Sequence, residues 1–215
     1  MSNMPPPDSD ELDEFQQSIL PEVLPSSEVE ASILFVNLYG FERLAAQWDI
    51  APRVELLNHY FESIVDTIFE CRGTLDKYID STVMAVFGSP LPLENHALMA
   101  IKAALQMRER LPNVNRHWFP NEPCPLTIGI GINTDQIVHG YVGTPQRSEF
   151  TAIGHGVNVA NYLSQQTQNY RCDILIGQKT YESSAASIQA KEKGLTQLMD
   201  AEIPVKIYEL IGLHA

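Results

Sequence analysis

The chain has 215 residues, of which 44% are hydrophobic, with a formal net charge of −13 and an isoelectric point near 4.8. This length suffices for one domain with a substantial core, or for a domain with a tail. The acidic balance argues against nucleic acid or an anionic membrane surface as a partner, because both are polyanions. No apolar run approaches the roughly 18 residues of a membrane span, so we expect a cytoplasmic protein without a leader.

The first 30 residues predict a disordered acidic tail. They include Pro5, Pro6 and Pro7 and a run of aspartates and glutamates, and the first basic residue of the chain is Arg43. Such a segment buries too little apolar surface to offset its ordering entropy. Apolar residues at positions 12, 15, 19 and 20 share one helical face, so a docking peptide for a protein partner is the alternative interpretation. The domain itself is expected at residues 31–213.

The first half of the domain predicts one strand, helices and a hairpin. Residues 32–36 are a β-branched and aromatic run of strand length, and helical periodicity follows from Val54 to Ile68. Residues 74–88 indicate two short strands joined by a polar tip. A further helix is predicted over residues 95–111 and is expected to end at Pro112, with a surface connection to residue 125.

The second half predicts a sheet with two more helices. Its expected elements are a strand at 126–132, a turn, a hairpin-partner strand at 136–142, a helix at 154–163, a strand at 174–177, a helix at 178–186 and two strands within 195–210. Gly129 and Gly131 lie within a predicted strand, so they favour close backbone packing over a phosphate loop. The element order predicts an α+β fold with a ferredoxin-like βαββαβ core and a small carboxy-terminal αβ subdomain.

Four segments carry motifs in a fixed order. Residues 34–41 read LFVNLYGF, residues 77–88 read KYIDSTVMAVFG, residues 128–134 read IGIGINT and residues 150–160 read FTAIGHGVNVA. They resemble, in the same order, the F-x-D-I-x-G-F, K-F-I-G-D-A-V-M-A-V-F-G, I-G-I-G-I-N-T-G and Y-T-V-I-G-D-T-V-N-L-A-A-R motifs of class III nucleotide cyclase catalytic domains. The resemblance runs from about residue 32 to residue 210, and it implies the same fold and an active site at a dimer interface.

The resemblance implies a degenerate metal site. In the family, two aspartates bridge two divalent ions that activate the ribose 3′ oxygen and hold the triphosphate. Asn37 and Ser81 stand at these two positions, and neither side chain supplies the anionic oxygen that Mg²⁺ prefers. Asp80 is a candidate substitute, although a shift of one residue along a strand normally turns the side chain to the other face. We expect no cofactor, or Mg²⁺ or Mn²⁺ if the protein is active.

The resemblance assigns base recognition to other residues of the chain. Lys77 and Thr151 match the two base-selecting positions, with a lysine that favours adenine, and Arg147 matches a loop arginine that contacts phosphate. Each has a structural alternative. Lys77 can instead pair with Asp76 or Asp80, and Arg147 can be a solvated loop residue.

The remaining catalytic positions of the family are only partly kept. Asn158 matches the asparagine that orients the ribose, whereas Tyr162 stands where the family has its transition-state arginine. An arginine aimed at a transferring phosphate contributes roughly 10³ to 10⁵ in rate. The lysine that holds the triphosphate falls near Ala201, in an acidic stretch. We expect Tyr162 to pack rather than to catalyse.

Three interpretations follow. The one we favour is a catalytically inactive cyclase homology domain, a dimeric regulatory or protein-binding module of intracellular signalling. The alternatives are the half of a heterodimeric adenylate cyclase that lacks the metal aspartates, and a weak homodimeric adenylate cyclase rescued by Asp80. All three predict a homodimer or a heterodimer with another cyclase-type domain, and whether the protein is an enzyme stays open.

Overall fold

The computed structural model of the chain describes residues 26–121, 125–144, 146–197 and 204–214. Most of the predicted tail lies outside these described residues, so its disorder stays a prediction. In the part that is described, none of the helices combines the length and hydropathy that crossing a membrane requires.

Eight strands and five α-helices form the described part of the chain. The strands are β1 (Ser27–Tyr39), β2 (Thr74–Ile79), β3 (Thr82–Phe87), β4 (Thr127–Thr144), β5 (Arg147–Ile153), β6 (Ile174–Gly177), β7 (Ile188–Thr196) and β8 (Val205–Leu213). The α-helices are α1 (Phe41–Ala45), α2 (Ile50–Glu70), α3 (His96–Trp118), α4 (His155–Tyr170) and α5 (Gln178–Ser184), with a 3₁₀ turn at Ala185–Ser187.

All eight strands belong to one sheet. Its order is β2-β3-β1-β4-β6-β8-β7, and β5 pairs with β4 beside this path. The β4–β6 pair is parallel, while the other pairs are antiparallel. The first four strands in this order, with α2 and α3 as connections, are the predicted ferredoxin-like core, and β6 to β8 with α5 are the carboxy-terminal subdomain. The predicted fold class is confirmed.

The central strand β1 sends alternate side chains to two different layers, as a strand must. Leu34, Val36 and Leu38 join the core that includes α2 and α3. Ile33 and Phe35 join a second cluster with residues of α4. The alternation therefore places Asn37 on the α4 side of the sheet, next to the end of the strand.

Pro112 does not end the third helix, which was predicted to stop there. The helix α3 continues through Pro112 to Trp118. A proline inside a helix removes one backbone hydrogen bond and usually weakens the helix by about 3 kcal/mol. Burial of Val114 and Phe119 on the domain core, and contact of Trp118 with it, holds the last turns in place. About half of the expected surface connection is therefore helical.

The predicted hairpin within residues 126–142 is wrong, because β4 is one continuous strand of 18 residues. It pairs with β1 from Ser27 opposite His139 to Tyr39 opposite Thr127 without interruption. Asn133 and Thr134, which lie in the predicted turn, are buried, and Thr134 bonds the hydroxyl of Ser32 at 2.7 Å. The true hairpin partner of β4 is β5, which was not predicted as a strand.

Candidate functional site

Asn37, at the first predicted metal position, has its amide group fixed by hydrogen bonds within the chain. Its Oδ1 accepts from Thr82 Oγ1 at 2.6 Å, and its Nδ2 donates to Ser164 Oγ at 2.9 Å. Ser164 Oγ in turn donates to the carbonyl oxygen of Asn161 at 2.7 Å. The residue is 9% exposed. The side chain therefore ties β1 to β3 and to α4.

The hairpin tip lies beside the end of β1, as the sequence predicts. The backbone amide of Leu38 donates to the carbonyl oxygen of Ser81 at 3.4 Å, which brings Ser81 next to Asn37 in the fold. Asp80 occupies the turn with a left-handed φ of 54°, and its side chain is exposed. Asp80 is thus a residue of the solvent-facing turn rather than of either strand.

These residues do not fit a divalent ion. Neither Asn37 nor Ser81 carries a charge, and the oxygen of Asn37 accepts the hydroxyl of Thr82. Hard divalent cations are bound through carboxylates in most protein sites. Across the described residues, no three His, Cys, Asp or Glu side chains lie close enough together to hold a metal ion.

The two positions that the resemblance gives to base selection, Lys77 on β2 and Thr151 on β5, are linked through Asp76. Thr151 Oγ1 donates to Asp76 Oδ1 at 2.8 Å, and the backbone amide of Ala152 donates to Asp76 Oδ2 at 2.9 Å. The Asp76 side chain is fully buried, while that of its neighbour Lys77 is 32% exposed. The carboxylate of Asp76 therefore joins the β2–β3 hairpin to the β4–β5 hairpin through Thr151 and Ala152.

Lys77 forms its closer ion pair with a residue that the sequence did not indicate. Its Nζ lies 3.1 Å from Glu149 Oε2 and 3.8 Å from Asp76 Oδ1. The hydrogen bond from Lys77 lowers the pKa of the Glu149 carboxyl. Arg147, 86% exposed, lies 3.7 Å from the other oxygen of Glu149. Lys77 and Arg147 thus both face Glu149, and the pairing of Lys77 with Asp76 is the longer contact.

Asn158 and Tyr162 lie one turn apart on α4. Asn158 is exposed near the start of the helix. The Tyr162 hydroxyl lies 3.0 Å from Thr196 Oγ1 on β7, and its ring packs with a small apolar cluster under α4. The position that the resemblance gives to an arginine is therefore a packing tyrosine, and the lysine position near Ala201 lies outside the described residues.

A buried histidine extends the Asp76 network, and sequence reasoning missed it. His139 is 2% exposed, with Nδ1 2.8 Å from Ser89 Oγ and Nε2 3.9 Å from Asp76 Oδ2. Its ring lies against Phe150, with centroids 4.5 Å apart. Burial lowers the pKa of His139, and the nearby Asp76 charge opposes this effect in part.

We predict that the protein loses stability as the pH falls from 7.5 to 5.5. Because the folded pKa of His139 lies below its unfolded value of about 6.5, the unfolded state binds the proton more readily over this range. His96, half-buried on α3, has a pKa shifted in the same direction, chiefly by burial. Urea unfolding at each pH measures the slope, and His139→Gln is expected to flatten it. An unchanged slope in that variant would contradict this assignment.

The amino-acid sequence of the domain identifies its family. The sequence profile of the adenylate and guanylate cyclase catalytic domain matches residues 24–212. The chain belongs to this family.

Known cyclases resemble this cyclase domain in sequence and in structure. It is 30% identical over 211 residues to the terminal-differentiation-specific adenylate cyclase of Dictyostelium discoideum, covering 92% of this chain and 10% of that protein. An adenylate cyclase of Anabaena cylindrica is 29% identical over 86% of this chain and 36% of its own length. The chain thus spans a minor part of these relatives.

Solved cyclase structures share the fold closely. The adenylyl cyclase CyaB from P. aeruginosa has a TM-score of 0.80 at 27% identity, with 87% of this chain and 96% of that chain covered. The guanylyl cyclase Cya2 has a TM-score of 0.77 at 26% identity, with 89% and 96% covered. The shared fold therefore extends over most of both solved chains.

Sequence reasoning found the motif positions of the cyclase domain and missed the buried partners that hold some of them in place. Asp76 and His139 are buried titratable side chains where the two hairpins meet, and neither stood out from the motifs. Asp76 gave one signal, because it is a carboxylate inside an otherwise strand-like run, TLDKYI. His139 gave none, since a lone histidine in a strand matches many structural roles.

Proposed function

We propose that this chain is a non-catalytic cyclase homology domain that works as a dimeric module and keeps the base-binding side of the family's nucleotide site. The observation that carries the proposal is the hydrogen bonding of Asn37. Its amide oxygen accepts from Thr82 and its amide nitrogen donates to Ser164, at a position where two-metal chemistry needs a carboxylate. A second requirement, a cation beside the transferring phosphate, is also unmet, because this position is held by Tyr162, which is bonded to Thr196.

The positions on the base-binding side, in contrast, still carry side chains that can bind a nucleoside. Thr151 on β5 bonds Asp76, the neighbour of Lys77 on β2, and Asn158 is exposed near the start of α4. These side chains offer hydrogen bonds to a nucleoside but do not move a proton or stabilise a leaving pyrophosphate. This combination supports nucleotide binding without turnover.

Apolar side chains beside these residues support a dimer. Val138, Val142 and Ile153 are 39%, 40% and 46% exposed. Val138 pairs with Ile153 and Val142 pairs with Glu149, so all three share the face of the β4–β5 hairpin that carries Thr151. Apolar side chains grouped on one face are typical of a surface that a second protein covers. A second cyclase-type domain is the partner that the family fold suits.

The experiment is a cyclisation assay on concentrated protein whose dimer content has been measured by analytical ultracentrifugation. ATP, GTP, CTP and UTP are each offered with Mg²⁺ and then with Mn²⁺, and cyclic nucleotide is quantified by mass spectrometry. We expect a dimer and no product above a blank without protein. Asp80→Ala is the matched control, because it removes the carboxylate that directly precedes Ser81 at the hairpin tip.

Two outcomes would change the assignment. Product from the wild-type protein that disappears in Asp80→Ala would identify a weak adenylate cyclase with a rebuilt metal site. Product that forms only after mixing with a cyclase chain carrying both aspartates would identify one half of a heterodimeric enzyme.

A further inference from the structure

Ser26, the first described residue, lies over one face of the β4–β5 hairpin. A methyl group on Gly140 would lie 2.5 Å from the Cα of Ser26 and would overlap its Oγ. A residue of a neighbouring strand stays about 4.5 to 5.5 Å away within the sheet, whereas a side chain stands perpendicular to it. Ser26 therefore occupies the space into which a side chain at position 140 would point, and the chain crosses the hairpin before it enters β1 at Ser27.

The face that the chain crosses carries exposed apolar side chains. Gly140 lies between Val138 and Val142 in β4, and Ile153 of β5 pairs with Val138, so all four positions share one face. We call Val138, Val142 and Ile153 the apolar hairpin face. Because position 140 has no side chain, the backbone at Ser26 passes directly between the two valines.

The course of the chain before Ser26 follows from the pairing of β1 with β4. The two strands are antiparallel, and Ser27 lies opposite His139. Each step back along the chain from Ser27 therefore advances one residue along β4. A chain that keeps this course reaches the level of Val142 at residue 24, which is a leucine.

The sequence before Ser26 suits an apolar surface. Residues 19–24 read ILPEVL, so apolar side chains predominate in the stretch that directly precedes the crossing. A segment this short buries too little surface to order on its own. Contact with the apolar hairpin face would bury further apolar area on both sides, which is favourable at roughly 25 cal/mol per Å².

We propose that residues 19–25 dock on the apolar hairpin face of their own chain, with Leu24 on Val142, and so compete with a second cyclase-type domain for that face. The inference rests on the dimer surface of the proposed function and adds a contact that opposes assembly. A segment joined by so short a connection has an effective concentration that is roughly millimolar. A second domain at lower concentration must displace it, so dimers form in concentrated protein.

The first test traps the contact in the full chain. Leu24→Cys with Val142→Cys should form a disulfide within one chain at a dilution where sedimentation shows monomers, since this bond needs Cα atoms within about 7 Å. Peptide mapping by mass spectrometry distinguishes it from bonds to the native cysteines. Leu24→Cys with Ile211→Cys is the matched control and should form no such bond. Ile211 is 45% exposed and also apolar, but it belongs to β8, which pairs with β6 and β7.

The second test measures the competition by sedimentation equilibrium of the full chain. Val23→Asp with Leu24→Asp places charge against the apolar hairpin face and releases the segment. We expect the dimer dissociation constant to fall about tenfold, as it would if the docked segment leaves about one chain in ten open to a partner. Gln16→Asp with Gln17→Asp adds the same charge to the segment but removes no apolar side chain, so it should leave the constant unchanged.

A second pair of substitutions protects this test against a folding defect. If thermal unfolding shows that the aspartate pair at positions 23 and 24 destabilises the domain, Val23→Ser with Leu24→Ser repeats the measurement without added charge. The same fall in the dissociation constant is expected from the serine pair, because the apolar contact is lost in both.

The outcomes separate this inference from the proposed function. A disulfide between positions 24 and 142 that links two chains, or a disulfide that forms equally well with position 211, overturns docking within the chain. Equal dissociation constants in the wild type and the variants at positions 23 and 24 overturn the competition. Monomers in every variant would contradict the proposed dimer, whereas the disulfide within one chain would still support the docked segment.

Discussion

Replacing Gly131 by alanine is expected to destabilise the domain by more than about 3 kcal/mol. A methyl group on Gly131 would overlap the carbonyl oxygen of Ala160 and the amide nitrogen of Ser164, and would lie 2.9 Å from the carbonyl carbon of Leu163. These are backbone atoms of α4, which cannot rotate away as a side chain does. The helix must therefore move away from the sheet, which breaks the apolar contacts beneath it. The loss of stability should for this reason exceed the usual effect of overpacking.

Gly212→Ala is the matched control for this prediction. Gly212 also lies in a strand of the same sheet, β8, but no heavy atom lies within 4 Å of the place where its Cβ would be. The change in the free energy of unfolding should stay within about 0.5 kcal/mol. Urea titration followed by circular dichroism measures both variants. Equal effects of the two substitutions would show that close packing of α4 on β4 is not what Gly131 provides.

The fold could be predicted from the sequence wherever the local pattern of a segment matched its surroundings in the structure. The hairpin at residues 74–88 has an apolar strand next to a polar tip, and it forms as predicted. The predicted role of Gly131 in close packing is confirmed in the same way, because a glycine in an apolar strand indicates a nearby backbone. Periodicity and composition are local signals, and both features leave a mark in the local sequence.

The errors arose where pairing with a distant segment outweighed local preference. Asn133 and Thr134 are common turn residues, yet they are held in β4 because Ile33 and Ser32 of β1 pair with them. The start of β1 at Ser27 was likewise missed, since its first residues are polar and pair with the far end of β4. A partner about a hundred residues away leaves no trace in the local pattern.

The site was predictable as a set of positions but not as a set of bonds. Of the positions that the family motifs indicated, Ser81 lies beside the end of β1 next to Asn37, and Thr151 is linked to Lys77 through Asp76. What each side chain does depends on Thr82, Ser164, Asp76 and Glu149, which are defined by register and by a bulge rather than by motif. Sequence resemblance therefore indicated which positions form the site, while the hydrogen bonds show which partners each side chain has.

The triple variant with Asn37→Asp, Ser81→Asp and Tyr162→Arg is expected to form cyclic nucleotide that the wild-type chain does not. An aspartate at position 37 can accept from Thr82 and present its second oxygen to a metal ion, and position 81 lies beside it at the hairpin tip. The arginine supplies charge at the transferring phosphate, an effect worth roughly 10³ to 10⁵ in rate. Mass spectrometry of the product from ATP with Mn²⁺ measures the gain.

The partial variants show whether the three positions act together. Asn37→Asp with Ser81→Asp should bind Mn²⁺ and ATP more tightly yet remain near the blank, because the phosphate charge is still unmatched. Tyr162→Arg alone should also stay near the blank. Tyr162→Phe, which removes only the hydroxyl that contacts Thr196, separates the loss of that bond from the gain of the arginine. A fully inactive triple variant that folds and dimerises like the wild type would mean that these three positions are not enough for catalysis.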